Sequence, residues 1–86
     1  MEIVRTERFR RAYRKLGTRE REQVKKALAR PLVDRAHPGL GVKRLQGTDA
    51  IWELRAGRAI RVTFEIGTGT YVLRNVGRHD ATLRRP

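Results

Sequence analysis

The sequence contains no cysteine and no serine, and its aromatic side chains are limited to one tryptophan, two tyrosines and two phenylalanines. Without cysteine the chain can form neither a disulfide nor a thiolate nucleophile, and without serine it cannot build a serine-type triad. Its two histidines, His37 and His79, lie far apart and leave no cluster of zinc ligands. We therefore expect neither a metal nor a cofactor.

Long apolar runs are also missing. No stretch approaches the run of about 18 apolar residues that a transmembrane helix requires. The first residues lack the apolar core of a signal peptide. These features predict a cytoplasmic protein with no membrane partner. The length of 86 residues predicts a single domain over residues 1–86.

Acidic residues are scarce relative to basic ones. The chain has 21 lysines and arginines against 9 acidic residues, a formal net charge of +12, and 17 of the 21 cations are arginine. Such an excess attracts polyanions, either the phosphate backbone of a nucleic acid or an acidic protein. A solvated arginine-rich surface with no partner is the alternative, and composition alone does not separate the two.

The first third of the sequence has the pattern of a strand followed by a helical hairpin. Residues 2–5 alternate weakly, which predicts a short strand. Apolar residues then recur with the spacing of one helix face, at Phe9, Ala12, Tyr13 and Leu16. We expect Gly17 to end this helix in the left-handed conformation, and Thr18 to cap a second helix that weakens near Pro31.

The remainder has the pattern of a β-meander. Turn residues predict a loop over 35–41, and strands are expected over 51–55, 59–66 and 70–76, joined by tight hairpins. In the middle strand, aliphatic residues alternate with polar ones, so one sheet face is apolar and needs a cover. The expected fold class is α+β, with an N-terminal strand and a two-helix hairpin packed on an antiparallel sheet.

The polar face of this sheet gathers groups that suit phosphate chemistry. We expect it to display Glu53, Arg55 and Arg61, with His79 and Asp80 at the end of the last strand. Arginine stabilises the extra charge of a pentacoordinate phosphate, and an imidazole both donates and accepts protons near neutral pH. RNA cleavage by the ribose 2′-hydroxyl needs no metal and no protein nucleophile. A solvent-facing Arg61 and a solvated or capping His79 are the alternatives.

Three segments resemble the RelE/ParE superfamily of bacterial toxins from type II toxin-antitoxin systems, and the resemblance covers almost the whole chain. They are "KRLQG" (43–47), "IWELRAGRAIRVTF" (51–64) and "YVLRNVGRHDATLR" (71–84). The resemblance implies a RelE-like β-α-α-β-β-β order. It also implies an acidic cognate antitoxin as a partner.

The two branches of this superfamily imply different activities. RelE-like members are mRNA interferases that cut messages on the ribosome, whereas ParE-like members inhibit DNA gyrase without catalysis. We expect a metal-independent, ribosome-dependent endoribonuclease whose partners are the ribosome and mRNA. A ParE-like gyrase inhibitor is the main alternative, and a degenerate toxin or a simple nucleic-acid-binding module remains open.

The resemblance also implies roles for individual residues. Arg61 matches the strand arginine that stabilises the scissile phosphate, and His79 occupies the closing basic position. Glu53 stands where RelE has a lysine, and the C-terminal tyrosine of RelE has no counterpart, so proton transfer falls to His79 with help from Glu53 or Asp80. The expected substrate-binding cations are Lys43, Arg44, Arg55, Arg58, Arg74 and Arg78.

Overall fold

The computed structural model describes residues 2–29, 42–47 and 50–86, and over these residues the chain has an α+β fold. The predicted loop over 35–41, with His37, lies outside the described residues, as does Pro31. The described elements, in chain order, are β1 (Glu2–Arg5), α1 (Glu7–Arg14), α2 (Thr18–Ala29), β2 (Val42–Arg44), β3 (Ile51–Arg55), β4 (Ile60–Gly67), β5 (Thr70–Arg78) and α3 (His79–Arg84).

The helical hairpin is present, but its junction differs from the prediction. Gly17 does not adopt a positive φ and therefore is not a left-handed terminator of α1. It stands instead before α2, where its carbonyl accepts the N–H of Arg21 and its own N–H donates to Glu20 Oε1 at 3.1 Å. Gly17 therefore occupies the N-cap position, where the side chain of Glu20 reaches back to its N–H. Thr18 is the first residue of the helix rather than its cap.

The sheet has the strand order β1-β5-β4-β3-β2 over the described residues. The meander of β3, β4 and β5 is antiparallel, as predicted. β1 pairs in parallel with β5, so the sheet is mixed rather than purely antiparallel. β2, which pairs antiparallel with β3, was not predicted, because a three-residue segment with two cations carries little strand signal.

One face of the sheet packs against α1 and α2 and forms the core. The alternation in β4 places Ile60, Val62 and Phe64 on this face, each with at most 1% of its surface exposed. Phe9 from α1 and Val24 from α2 are buried against them. No helix within the described residues is long and apolar enough to cross a membrane.

The opposite face of the sheet, termed the polar face, is covered by α3. The sequence pattern predicted a terminal loop here, because six residues of mixed polarity give too short a period to indicate a helix. Instead α3 packs on β4 and β5 and buries Thr82 against the sheet. The carbonyls after α3 are held as well: Asn75 Nδ2 donates to Arg85 O at 3.0 Å, and Arg74 Nε donates to Pro86 O at 3.3 Å.

A β-bulge in β5 lies beneath this contact. Thr63 pairs with Asn75 and Phe64 pairs with Leu73, so Arg74 is an extra residue with no counterpart on β4. Such an insertion bends and twists the strand. Beyond the bulge, Gly77 pairs with Arg61 and faces Thr82, where an added Cβ would lie 2.8 Å from Thr82 Oγ1.

Replacing Gly77 by alanine should therefore loosen α3. We expect the substitution to lower the free energy of unfolding by about 1–3 kcal/mol, the usual cost of overpacking a buried contact. Urea denaturation measures the change. In the double variant Gly77→Ala/Thr82→Ala the obstructing hydroxyl is absent, so the two losses should be less than additive. Strictly additive losses would show that the Thr82 contact does not fix the position of α3.

Candidate functional site

Strand register brings the predicted catalytic side chains onto the polar face. Glu53 of β3 lies opposite Thr63 of β4, and Arg55 lies opposite Arg61, so the four residues form two adjacent rows. Side chains of the same strand two residues apart share a face, which places Glu53 and Arg61 on the side that α3 covers. The sequence therefore located both residues on the correct face.

Glu53 is buried rather than displayed to solvent. Only 4% of the residue is exposed, and its Oε1 lies 3.5 Å from Lys43 Nζ on the neighbouring strand β2. The expectation of an open polar face overlooked α3, whose Leu83 lines a groove together with Glu53 and Lys43. A carboxylate that is removed from water needs an opposite charge close by. Lys43 supplies that charge from the exposed rim of the groove.

Arg61 is also buried, with 8% of its surface exposed, and it braces the turn between β3 and β4. Its Nη1 donates to the carbonyl oxygens of Gly57 at 3.2 Å and Ile60 at 3.0 Å, and reaches that of Arg58 at 3.5 Å. No hydrogen bond joins its Nε or Nη2 to another residue in the described part of the chain. One end of the guanidinium is thus fixed to the backbone, while its other donors are available to an anion.

His79 stands at the same end of the sheet as this turn. Its backbone N–H donates to Ala59 O at 2.8 Å, so the histidine that begins α3 is attached to the turn that Arg61 braces. Half of its side chain is exposed, and Nδ1 lies 2.9 Å from Asp80 Oδ1. A carboxylate at Nδ1 favours a proton on that nitrogen and leaves Nε2 to exchange protons with a ligand.

The predicted substrate-binding cations divide into two groups. Arg55, Arg58 and Arg78 are exposed and lie at the end of the sheet that carries Arg61 and His79, while Lys43 lies on the rim beside Glu53. The other two predicted cations have structural contacts elsewhere. Arg44 stacks over the Trp52 ring at 5.2 Å, and Arg74 forms an ion pair of 3.2 Å with Glu65.

Two polar residues at this site were not singled out from the sequence. Thr63 is fully buried in the middle of the polar face, with its hydroxyl 3.5 Å from Asn75 O. Thr82 closes the face from above. The alternation of β4 gave a signal for Thr63, since it falls between Arg61 and Glu65, but nothing in the local pattern placed Thr82 over the sheet.

The site carries positive charge without a metal cluster. In the residues that the structure describes, no three histidine, aspartate or glutamate side chains are grouped closely enough to hold a metal ion. A fixed guanidinium and a buried carboxylate on one face of the sheet, with a half-exposed imidazole at the end of that sheet, suit an anionic ligand whose reaction needs proton transfer.

The fold is that of the RelE toxins. The chain superimposes on the isolated E. coli RelE toxin with a TM-score of 0.71 at 22% identity, covering 92% of this chain and 84% of that one. A Methanococcus jannaschii RelB-RelE antitoxin-toxin complex gives 0.73 at 14% identity, with 94% and 95% covered. A YoeB/ParE toxin from Agrobacterium tumefaciens gives 0.69 at 22% identity, with 92% and 99% covered. No protein-family model and no curated protein matches the sequence.

Because Arg61 braces the turn between β3 and β4, replacing it should destabilise the fold. Its position on a polar sheet face did not suggest such a cost. Arg61→Ala should reduce the free energy of unfolding by about 1–3 kcal/mol, because three carbonyl oxygens lose a charged donor. Arg58→Ala, in the same turn but exposed, is the matched control and should change stability by less than about 0.5 kcal/mol. Urea denaturation of both variants tests this difference. Equal stability of the two variants would contradict it.

Proposed function

We propose that this protein is the toxin of a type II toxin-antitoxin system and that it cleaves mRNA on the ribosome. The observation that carries the proposal is that Glu53 and Arg61 share one sheet face of a RelE-like fold and that the His79–Asp80 pair begins at the end of the sheet where Arg61 lies. The net charge of +12 supports a polyanionic substrate.

In the proposed reaction, the ribose 2′-oxygen attacks the adjacent phosphorus. Glu53 accepts the proton of the 2′-hydroxyl, and the free donors of Arg61 stabilise the charge that develops on the phosphoryl oxygens. His79 donates a proton from Nε2 to the departing 5′-oxygen as the phosphorus–oxygen bond breaks. The products are a 2′,3′-cyclic phosphate and a 5′-hydroxyl end, so no metal or covalent enzyme intermediate takes part.

The neighbouring side chains have supporting roles in this proposal. Asp80 holds the imidazole through Nδ1 so that Nε2 faces the leaving group. Lys43 holds the Glu53 carboxylate in place at the rim of the groove. Arg55, Arg58 and Arg78 position the phosphates on either side of the cleaved bond, where exposed arginines contact the backbone without reading the bases.

An acidic antitoxin is the second partner in the proposal. The structural neighbours include toxins solved with their antitoxins, among them the E. coli RelBE complex and the M. jannaschii RelB-RelE complex. With a formal net charge of +12, the chain is suited to bind an acidic polypeptide. In the proposal this polypeptide competes with RNA for the same cations.

The decisive experiment measures cleavage of a defined message on purified ribosomes. His79→Ala and Glu53→Gln should each lower the cleavage rate by roughly 100-fold, the usual loss when a proton-transfer group is removed. Arg58→Ala, an exposed cation of the same turn, should lower the rate by less than roughly tenfold, because a single phosphate contact contributes little.

Circular dichroism and urea denaturation confirm that each variant is folded at the assay temperature. If His79→Ala cleaves at the wild-type rate, His79 is not the proton donor of the reaction. If the wild-type protein cuts no message and instead blocks supercoiling by DNA gyrase, the ParE-like activity is the correct one and the nuclease proposal is wrong.

A further inference from the structure

The turn between β3 and β4 is held from three directions. Its ends are closed by the N–H of Ala56, which donates to Ile60 O at 3.0 Å. On the polar face the guanidinium of Arg61 binds its carbonyl oxygens, and at the end of the sheet His79 binds it through Ala59. The third direction is that of the helices, where the turn meets α2.

Gly57 is the residue of the turn that contacts α2. Its φ is +145°, a backbone conformation that residues with a side chain rarely adopt. A Cβ added there would lie 2.8 Å from Oε1, 3.0 Å from Cδ and 3.2 Å from Nε2 of Gln23. Because these three distances are so similar, the flat face of the amide rather than its edge lies against the turn. The lack of a side chain on Gly57 therefore allows Gln23 to pack directly on the backbone.

Gln23 is placed at the turn by the buried stripe of α2. Val24 and Ala27 of this helix are buried in the core, and Gln23, beside Val24, is half-buried. Within the described residues, no hydrogen bond joins the Gln23 amide to another group. The side chain therefore meets the turn by packing alone, and its length and shape matter more than its donors and acceptors.

The same glycine connects α2 to the site. The carbonyl oxygen of Gly57 accepts a hydrogen bond from Arg61 Nη1 at 3.2 Å, so Gln23 and Arg61 both contact this one residue. Two residues later, Ala59 holds the backbone of His79 at 2.8 Å. Catalytic groups need to be held within about 0.5 Å of their productive positions. A contact that fixes the turn therefore bears on the positions of both groups.

We propose that Gln23 is a positioning residue for Arg61 and His79, and that it acts through the backbone of Gly57. The inference rests on the proposed function, because that reaction assigns phosphate stabilisation to Arg61 and proton donation to His79. Gln23 does not touch the substrate, since α2 packs on the sheet face opposite the polar face. It restricts the turn, so that the two groups keep their relative positions before RNA binds.

The first test measures message cleavage on ribosomes with variants of Gln23. Gln23→Ala should lower kcat roughly tenfold and change KM by less than roughly twofold, because misplaced groups weaken the transition state rather than substrate binding. Alanine is a better helix former than glutamine, so α2 itself is kept. Gln23→Met, whose side chain has a similar length, should restore kcat to within roughly threefold of the wild-type value. If Gln23→Met is as slow as Gln23→Ala, packing against the turn is not the role of Gln23.

A control on the same helix separates lost positioning from lost stability. Leu28 is half-buried against the core on the side of α2 that faces β1, away from the turn. Leu28→Ala should unfold at a lower urea concentration and yet cleave within roughly twofold of the wild-type rate at a temperature where it is folded. If Leu28→Ala and Gln23→Ala lose the same factor in rate, the rate follows stability and Gln23 has no positioning role.

The second test addresses the contact from the side of the turn. Gly57→Ala should slow cleavage at least roughly tenfold, because the new methyl group meets the Gln23 amide at 2.8 Å. Gly69→Ala is the matched control: its φ is also positive, at +70°, but nothing lies within 4 Å of its added Cβ. The double variant Gly57→Ala/Gln23→Ala removes the clash, so its loss in rate should be smaller than the product of the two single losses. A loss equal to that product would show that the two residues act independently.

The third test does not depend on cleavage. In NMR spectra of the free protein, Gln23→Ala should shift the Nε–H resonance of Arg61 and the imidazole resonances of His79, whereas Leu28→Ala should leave both in place. If both sets of resonances are unchanged in Gln23→Ala, the inference is wrong whatever the activity of the protein. If they shift and the wild-type protein cuts no message, Gln23 still sets these positions and only the nuclease proposal fails.

Discussion

The close approach of α3 to the sheet at Gly77 is the contact on which the rest of the site depends. Because Gly77 has no side chain, Thr82 lies directly against β5 and is itself buried. This contact places α3 over the polar face that carries Glu53 and Arg61, which would otherwise be solvated charges on an open strand surface. Their burial strengthens every electrostatic interaction they make, because water no longer screens them as effectively.

The turn between β3 and β4 ties stability to the proposed chemistry. Arg61 has one end of its guanidinium committed to the turn carbonyls, and His79 is anchored to that turn through Ala59. The turn therefore sets the position of both groups relative to each other, which is the kind of preorganisation that phosphoryl chemistry needs. A guanidinium that braces the backbone and also faces the substrate cannot be removed without affecting both roles.

The fold and the polar face were predictable from the sequence to different extents. The period of two in β4 correctly predicted the strand, its neighbours and the face on which Arg61 lies, because local alternation reports directly on a half-buried sheet. It could not report that β1 returns to pair with β5, since parallel pairing joins residues almost 70 positions apart. It also could not reveal α3, whose position depends on a glycine and a threonine meeting across the sheet rather than on an apolar stripe.

The burial of the site residues was missed for the same reason. The expectation of exposed Glu53 and Arg61 treated the sheet as having one covered face, which is the simplest solution for two amphipathic helices. The short helix α3, which follows β5, covers the second face of the sheet as well. Its Leu83 lines a groove together with Lys43. Sequence pattern predicted which residues share a face, and tertiary packing decided how much water reaches them.

The segment that follows α3 is held by side chains from other elements of the fold. Arg8 of α1 donates through its guanidinium to the carbonyls of Arg85 and Pro86. Asn75 of β5 donates from its amide nitrogen to Arg85 O, while its amide oxygen accepts the N–H of Val76. The position of α3 over the proposed active site therefore depends on contacts from α1 and β5 as well as on the close approach of Thr82 to Gly77.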